Sequence, residues 1–506
     1  MVKNLKRIWR FITNKNVVIG FLIFLQIILF FVVIALSIAI DPKIGLYILI
    51  ILFILSYIVA LYILSRSSVH APYKLTWVAS ILLFPIFGGI FYLYYNVRNY
   101  SKKQRIFYDN TTKRIRKLMA ERDQETSNQI HNYLGSHGWA TYHNTKVEFF
   151  QSGEDVLSDI INNLKNAKKF IFIEFFIIRE GKIWSDMLEI LSKKVKEGVE
   201  VKVIYDDWGS FTLPFRYYKR VFKKYGIDVI NFNPVVPRVN FQMNFRNHRK
   251  LVIIDGEIGY TGGFNIADEY ANLIERFGYW LDTGIKVTGD AVFSMSLIFL
   301  SDWEFRTKKE INFTDYDVNH QVESNSQVAP YADSPLINST LTQDVLLRMI
   351  GQAKNKIYLS SPYLIIDPEL SNALSLLARS GVEVNIVIPR IPDKKFVYMV
   401  SESYIPELVK NGVNIYKYNP GFIHSKVFMV DNKIASIGSS NLDYRSLFLH
   451  FENNVVFNDK EALDDIETFF LNAIDNSTLV DLQTLKKRNI FYRALQNILR
   501  GFSALL

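Results

Sequence analysis

HRKLVIIDGEIGYTGGFN, from His248 to Asn265, returns later in the chain as HSKVFMVDNKIASIGSSN, from His424 to Asn441. Both copies fit one pattern, HxK(x)4D(x)6G[GS]xN, with His, Lys, Asp, Gly and Asn in register. The flanks repeat as well. KKFIFIEFFII (Lys168 to Ile178) is like KNKIYLSSPYLII (Lys354 to Ile366), GVEVKVIY (Gly198 to Tyr205) is like GVEVNIVI (Gly381 to Ile388), and YGIDVINFNP, ending at Pro234, matches NGVNIYKYNP, ending at Pro420. Self-similarity on this scale means one structural unit used twice.

Within each copy, short apolar runs rich in β-formers alternate with helical patterns such as WSDMLEILSKKVKEG (Trp184 to Gly198) and LSNALSLLARSG (Leu370 to Gly381). That alternation predicts a sheet covered by helices, an α/β fold. At 506 residues the chain is too long for one ordinary core. The repeat divides it into two pseudo-equivalent domains, residues 130–313 and 314–476, with the polar stretch TDYDVNHQVESNSQ from Thr314 holding the connection.

Ahead of the repeat lies a different kind of sequence. Val17 to Ile40 is uncharged and longer than the ~20 residues that cross a bilayer as a helix, and a second apolar stretch, Ile44 to Leu64, follows at once. The pair reads as a transmembrane hairpin, since no small-residue cleavage site marks a removable signal. Lys3, Lys6, Arg7, Arg10 and Lys15 precede the first span and Arg66 and Lys74 follow the second, which places both ends in the cytoplasm. A third apolar stretch, Trp77 to Tyr95, is interrupted by Pro85 and Gly88-Gly89 and followed by Arg98, Lys102, Lys103 and Arg105. We read residues 1–95 as an α-helical membrane region whose last stretch is re-entrant or interfacial, with a third, Pro-kinked span as the alternative. Residues 96–129 read as a charged juxtamembrane helix or linker, facing lipid head groups or solvent, and 477–506 as a basic amphipathic C-terminal helix suited to an anionic membrane. FRYYKRVFKKYG (Phe215 to Gly226) fits either a membrane surface or a helix packed on its sheet.

A net charge of +10 suits an anionic partner, nucleic acid or an acidic membrane alike. The absence of cysteine excludes a disulfide framework, a Cys-ligated zinc site and a thiolate nucleophile.

The motif itself indicates phosphoryl transfer. Residues two apart on a strand project to one face, so His248 with Lys250, and His424 with Lys426, form same-side pairs. A neutral imidazole can attack phosphorus, a lysine can neutralise phosphoryl oxygens, and Asn265 and Asn441 can donate further hydrogen bonds. Asp255 and Asp431 complete each motif and count in its catalytic set with His248, Lys250, His424 and Lys426, although at the strand end their role is to orient the lysine or the turn. One histidine in a strand ordinarily does no chemistry; two of the eight in the chain, at homologous points of a repeat, form a composite site between its halves.

These motifs resemble the paired HKD motifs of the phospholipase D superfamily. NLDYRSLFLHFENNV (Asn441 to Val455), NIADEY (Asn265 to Tyr270), SPYLIIDPE (Ser361 to Glu369) and the membrane stretch YKLTWVASILLFPIFGGIFYLYY are similar to bacterial cardiolipin synthases. The resemblance implies that one motif histidine forms a phosphatidyl-histidine while the other protonates the departing alcohol and deprotonates the incoming one; by analogy His248 is the nucleophile and His424 the general acid/base. It implies phosphatidylglycerol as both substrates, anionic membrane lipids as partners, and neither metal, nucleotide nor nucleic acid. A carboxylate is expected behind each imidazole. Glu452 is the candidate for His424 and, by repeat alignment, Asp282 for His248. Two departures stand out: Gly284 replaces a family histidine, and Gly263 replaces the commoner serine, removing a hydroxyl donor near the phosphate. A hydrolytic phospholipase D, an HKD nuclease and an inactive lipid binder remain as alternatives, and oligomeric state stays open.

Overall fold

The computed structural model describes residues 41–66, 71–84, 100–210, 217–234, 245–318, 320, 322–337, 340–486 and 488–503, with isolated positions between 24 and 92. Two compact units emerge. One comprises residues 1–99 with 236–241 and 501–505, the other 100–235 with 242–500.

In the larger unit the duplicated flanks become duplicated sheets. The first half supplies β1 (Thr145–Phe150), β2 (Phe170–Phe175), β3 (Glu200–Asp206), β4 (Asp228–Phe232), β5 (Lys250–Ile254), β6 (Ile258–Gly262), β7 (Tyr279–Leu281) and β8 (Gly284–Gly289). The second supplies β9 (Val328–Asp333), β10 (Lys356–Ser360), β11 (Glu383–Pro389), β12 (Asn414–Tyr418), β13 (Gly421–Ile423), β14 (Val427–Val430), β15 (Ile434–Gly438), β16 (Glu452–Phe457) and β17 (Ser477–Leu479). The first sheet runs β1-β8-β6-β5-β2-β3-β4 and the second β9-β16-β15-β14-β10-β11-β12, with β17 added at its edge. The order is the same in both. In each, three strands are parallel (β2-β3-β4; β10-β11-β12) and the motif hairpin joins antiparallel (β5 on β2; β14 on β10), so this is an α/β fold with mixed sheets.

Central strands read as continuous apolar runs because nothing on them reaches water; β2 is buried at every position. The helix Lys182–Lys196 buries Ile183, Trp184, Met187 and Leu191 against the same core. The helix Tyr217–Lys224 sends Phe222 into that core, beside Trp184, so the described part of the Phe215 to Gly226 stretch packs on its sheet; its first residues lie outside the described set. The helix Val292–Thr307 is buried nearly all round, as expected for a helix covered on more than one side. Part of that cover is the helix Lys102–Ala120. Ser101 and Gln104 form its capping box, and Tyr108, Thr111, Thr112, Ile115 and Met119 line its buried face. Thr111 and Arg114 bond Glu304 at 2.7 and 3.0 Å. Some of the cations in this segment therefore serve the protein interior.

The helix Ile490–Arg500 packs with its polar side inward. Tyr492 donates to Glu402 (3.1 Å), Gln496 to the Met399 carbonyl (3.2 Å) and Arg500 pairs with Glu407 (2.9 Å). Ile490, Leu495, Ile498 and Phe491, the last 81% exposed, face outward. This helix is preceded by β17 and a short helix, Leu482–Lys486, so the C-terminal segment is not one continuous helix.

In the smaller unit the helix Pro42–Ser65 starts at Asp41, whose side chain accepts from the Lys43 N–H, and packs against the helix Ala71–Leu83. Among the described residues, Lys43–Ser65 is the one helix long and apolar enough to cross a membrane. The expected span from Val17 to Ile40 lies outside the described residues apart from isolated positions. Beyond Leu83 the chain turns back. A Cβ on Gly88 would come within 2.5 Å of the Ile81 Cα, and the Trp77 and Tyr92 rings meet at 5.4 Å. On a straight helix seven residues advance about 10 Å, so Gly88 and Tyr92 do not continue the line of the helix Ala71–Leu83.

Candidate active site

Each motif histidine stands on the linker that enters a central hairpin, since β5 begins at Lys250 and β14 at Val427. That linker pairs with the opposite half. Asn247 bridges Phe451 in parallel, the His248 N–H donates to the Phe451 carbonyl (2.9 Å) and the Phe451 N–H to the Arg246 carbonyl (2.9 Å). Likewise β13 pairs in parallel with β7, Ile423 opposite Leu281, and the His424 N–H donates to the Leu281 carbonyl (2.7 Å). The residue after each bridging partner is a carboxylate: Glu452 after Phe451, Asp282 after Leu281.

The expected pairing is therefore corrected by an exchange. His248 Nδ1 lies 2.9 Å from Glu452 Oε1, and His424 Nδ1 lies 2.7 Å from Asp282 Oδ2. Glu452 serves His248 and Asp282 serves His424, because the backbone bridges carry each histidine to the other half's strand. Both carboxylates are fully buried. A carboxylate accepts only, so it holds the imidazole proton on Nδ1 and leaves the Nε2 lone pair free.

Lys250 and Lys426 are buried beside them. Lys250 Nζ donates to the His248 carbonyl at 2.8 Å, while Lys426 Nζ bonds the His424 carbonyl and lies 3.0 and 3.2 Å from the two ring nitrogens. The halves share one electrostatic field. Burial, then the charge of Lys426, pulls Lys250 down to about 7, and burial pulls Lys426 down to about 8 against the attraction of Asp282 and Glu452. Burial lowers His248 to about 3 despite Glu452, and burial with Lys426 and Lys250 puts His424 well below its usual range. Both rings therefore favour the neutral form. Burial raises Asp282 to about 7. Burial also works against ionisation of Glu452, but the His248 ring and its hydrogen bond outweigh that and hold the carboxyl well below the usual range.

Asp255 and Asp431 belong to a different part of the machinery. Asp255 accepts from the N–H groups of Lys168 (2.7 Å), Lys169 (2.6 Å) and Phe170 (3.0 Å), and Asp431 from those of Lys354, Asn355 and Lys356 (2.9 Å each). They clamp the hairpin turn to the start of β2 or β10, in left-handed conformations with φ of 55° and 52°. A strand of about five residues, on the order of 17 Å, separates them from the histidines. That distance removes them from the catalytic set and from any hold on the lysines.

Asn265 uses its oxygen on the Ile177 N–H (3.1 Å), and Asn441 donates to Asp443 (3.1 Å), so both asparagines shape the site walls. Gly263 is explained by space: a Cβ there would lie 2.1 Å from Asp282 Oδ1 and 2.8 Å from the His424 carbonyl. The hydroxyl expected near the phosphate is used elsewhere, because Ser439, its counterpart, donates to Glu452. Gly284 is equally confined, with Phe264 and Val156 atoms 2.8 and 2.9 Å from a Cβ.

Sequence reasoning missed the support beneath His248. Arg249 is buried and donates to Asp302 (2.6 Å), the Glu452 carbonyl (3.2 Å) and the Asp333 carbonyl (3.3 Å), while Asn247 bonds Glu174 and Asp302. Glu174, alone among the apolar residues of β2, was the visible signal. His450 was missed too; its ring lies 5.5 Å from that of His248, and Trp280 lies 5.4 Å from His424 at the matching place.

A family model described as cardiolipin synthase, PLD-like domain, matches residues 160–275 and 346–474. Halalkalibacterium halodurans has a cardiolipin synthase 34% identical over 454 residues, 86% of this chain and 90% of that protein. An uncharacterized protein of Streptococcus mutans serotype c is 39% identical over 445 residues, 85% of this chain and 96% of its own length. The crystal structure of phosphatidylserine synthase from Haemophilus influenzae Rd KW20 superposes with a TM-score of 0.56 at 16% identity, covering 71% of this chain and 95% of that one, and shares the fold.

Proposed function

The chain belongs to the cardiolipin synthase family of phospholipase D-like proteins, a phosphatidyltransferase of that type, and we propose that it joins two phosphatidylglycerol molecules into cardiolipin and glycerol. The observation that carries this reading is the crossed pair of histidine–carboxylate couples, His248–Glu452 and His424–Asp282, around two buried lysines.

His248 Nε2 attacks the phosphorus of the first lipid, and the bond to the glycerol head group breaks as His424 protonates the departing oxygen. An imidazolium is needed at His424 for that step; the entering phosphodiester supplies the negative charge that favours it. Lys250 and Lys426 neutralise the phosphoryl oxygens in a site with little water. A head-group hydroxyl of the second lipid then loses its proton to His424 and attacks the phosphatidyl-histidine, releasing His248. One phosphodiester replaces another, so no energy source is consumed.

We assign residues 130–313 and 314–476 as the two catalytic domains, 96–129 as the segment joining them to a membrane region at 1–95, and 477–506 as a C-terminal segment on anionic lipid. Support for membrane placement comes from the apolar helix Lys43–Ser65, the chain reversal after Leu83 and the outward apolar side of the helix Ile490–Arg500. With spans at 17–40 and 44–64 and no further crossing, the catalytic domains face the cytoplasm. Protease accessibility of a C-terminal tag in right-side-out vesicles checks this; cleavage from outside overturns it.

The decisive assay uses purified full-length protein and phosphatidylglycerol alone. Cardiolipin with equimolar glycerol is expected, whereas phosphatidic acid with glycerol overturns transfer in favour of hydrolysis.

A further inference from the structure

His450 is unlike any residue of the opposite half-site. Its side chain is 10% exposed, and among the described residues neither ring nitrogen has a hydrogen-bond partner within 3.5 Å. Nδ1 points toward Glu452 Oε1 from 3.6 Å, outside bonding range, on the side of the carboxylate that His248 Nδ1 approaches to 2.9 Å. Among the described residues, His248, His450 and Glu452 are the one group of three such side chains whose donor atoms all lie within 4.8 Å of one another. At the matching place beside His424 stands Trp280, which has no lone pair to offer.

We propose that His248, His450 and Glu452 form a binding site for a transition-metal dication, Zn2+ by its donor set, that reversibly shuts the enzyme. Two imidazoles and one carboxylate are a known zinc set that leaves a fourth position for water. With bonds of about 2.0–2.1 Å, tetrahedral ligands stand about 3.4 Å apart. The two separations from Glu452 Oε1, 2.9 and 3.6 Å, bracket that value, and all three donor atoms lie within 4.8 Å of one another, so side-chain rotation brings them onto one ion. The Ser439 hydroxyl holds the other Glu452 oxygen and orients the carboxylate, the part an outer partner plays in metal sites.

Inhibition follows from the proton count. A neutral imidazole carries one N–H, which Glu452 keeps on Nδ1. A metal on Nδ1 displaces that proton to Nε2, and the lone pair that would attack phosphorus is gone. No bond in substrate is made or broken, and removing the metal returns the proton to Nδ1.

This inference rests on the transferase reading only for its activity arm. In that arm, Zn2+ is titrated into the full-length protein acting on phosphatidylglycerol in mixed micelles. Turnover is expected to fall and to recover on adding chelator, and in His450→Asn, measured against its own metal-free rate, half-inhibition is expected to need at least about tenfold more Zn2+, the least that losing even an outer partner costs a metal site. The second arm needs no substrate: Co2+ added to the metal-free protein should give the visible absorption of a four-coordinate site, retained in His424→Asn and lost in His248→Asn and His450→Asn. An absent Co2+ band in the parent protein, or a band or Zn2+ inhibition undiminished in His450→Asn, overturns the site. A Co2+ band with no cardiolipin formed leaves the site standing and removes the proposed reaction instead.

Discussion

The two half-sites repeat one motif in unlike surroundings. Around His248 the carboxylate is Glu452, ionised and bonded by Ser439, and the linker beneath it rests on a buried ion pair, Arg249 with Asp302, and on a buried hydrogen bond from Asn247 to Glu174. Around His424 the carboxylate is Asp282, which burial raises to about 7; no hydroxyl reaches it from Gly263, and Ser425 bonds Ser360 where the first half has Arg249 and Glu174. A firmly ionised partner suits a ring that must carry a covalent phosphatidyl group. A partner poised near neutrality suits a ring that gains and loses a proton in each half-reaction.

The hardest test of that contrast is removal of the rings. His248→Ala and His424→Ala are each expected to lower turnover by roughly 10^4-fold or more. With phosphorus-labelled lipid, only His424→Ala should retain covalent label; label held by His248→Ala reverses the roles. Next in size, Glu452→Gln is expected to cost on the order of 10^3–10^4 in kcat through loss of the tautomer lock. Asp282→Asn should change the pH profile more distinctively. As pH falls through about 7, Asp282 takes up a proton and can no longer support an imidazolium, so kcat/KM drops on the acid side. As pH rises through about 7 to 8, Lys250 and Lys426 lose their protons and it drops again. In Asp282→Asn the acid limb should vanish and the alkaline limb remain; two intact limbs would break the assignment.

Smaller effects probe the scaffolds. Arg249→Leu leaves Asp302 buried and unpaired and is expected to destabilise by about 3–5 kcal/mol in thermal or denaturant unfolding, against about 1 kcal/mol for Ser425→Ala. Equal losses would mean that the two linkers are braced alike. Gly263→Ser, crowding Asp282, is expected to cost about 1–3 kcal/mol, and Ser439→Gly about 1 kcal/mol.

Much of this molecule was legible in its repeat. Matching flanks predicted matching sheets, and the strand orders agree. What repeat alignment cannot carry is partnership: it sets Glu452 opposite Asp282 as equivalents but is silent on which ring each serves. That choice is made by Asn247 on Phe451 and Ile423 on Leu281, contacts between residues far apart in sequence. The motif aspartates were counted in the catalytic set because they belong to the repeated pattern; which backbone they clamp depends on β2 and β10 lying beside the hairpin, and the pattern does not carry that. In the Lys102–Ala120 helix, abundant cations drew attention from Tyr108, Thr111, Thr112, Ile115 and Met119, whose spacing marks a buried face.

The exchange of carboxylates also bears on origins. A chain with a single copy of the motif would hold a histidine and a carboxylate that here each bond the other copy's residue, and would rebuild this arrangement as a symmetric pair, each molecule completing its neighbour. Fusing the copies turns a concentration-dependent encounter into a permanent one. It also ends the identity of the two sides, so a tryptophan can replace a histidine on one of them without costing the other its own.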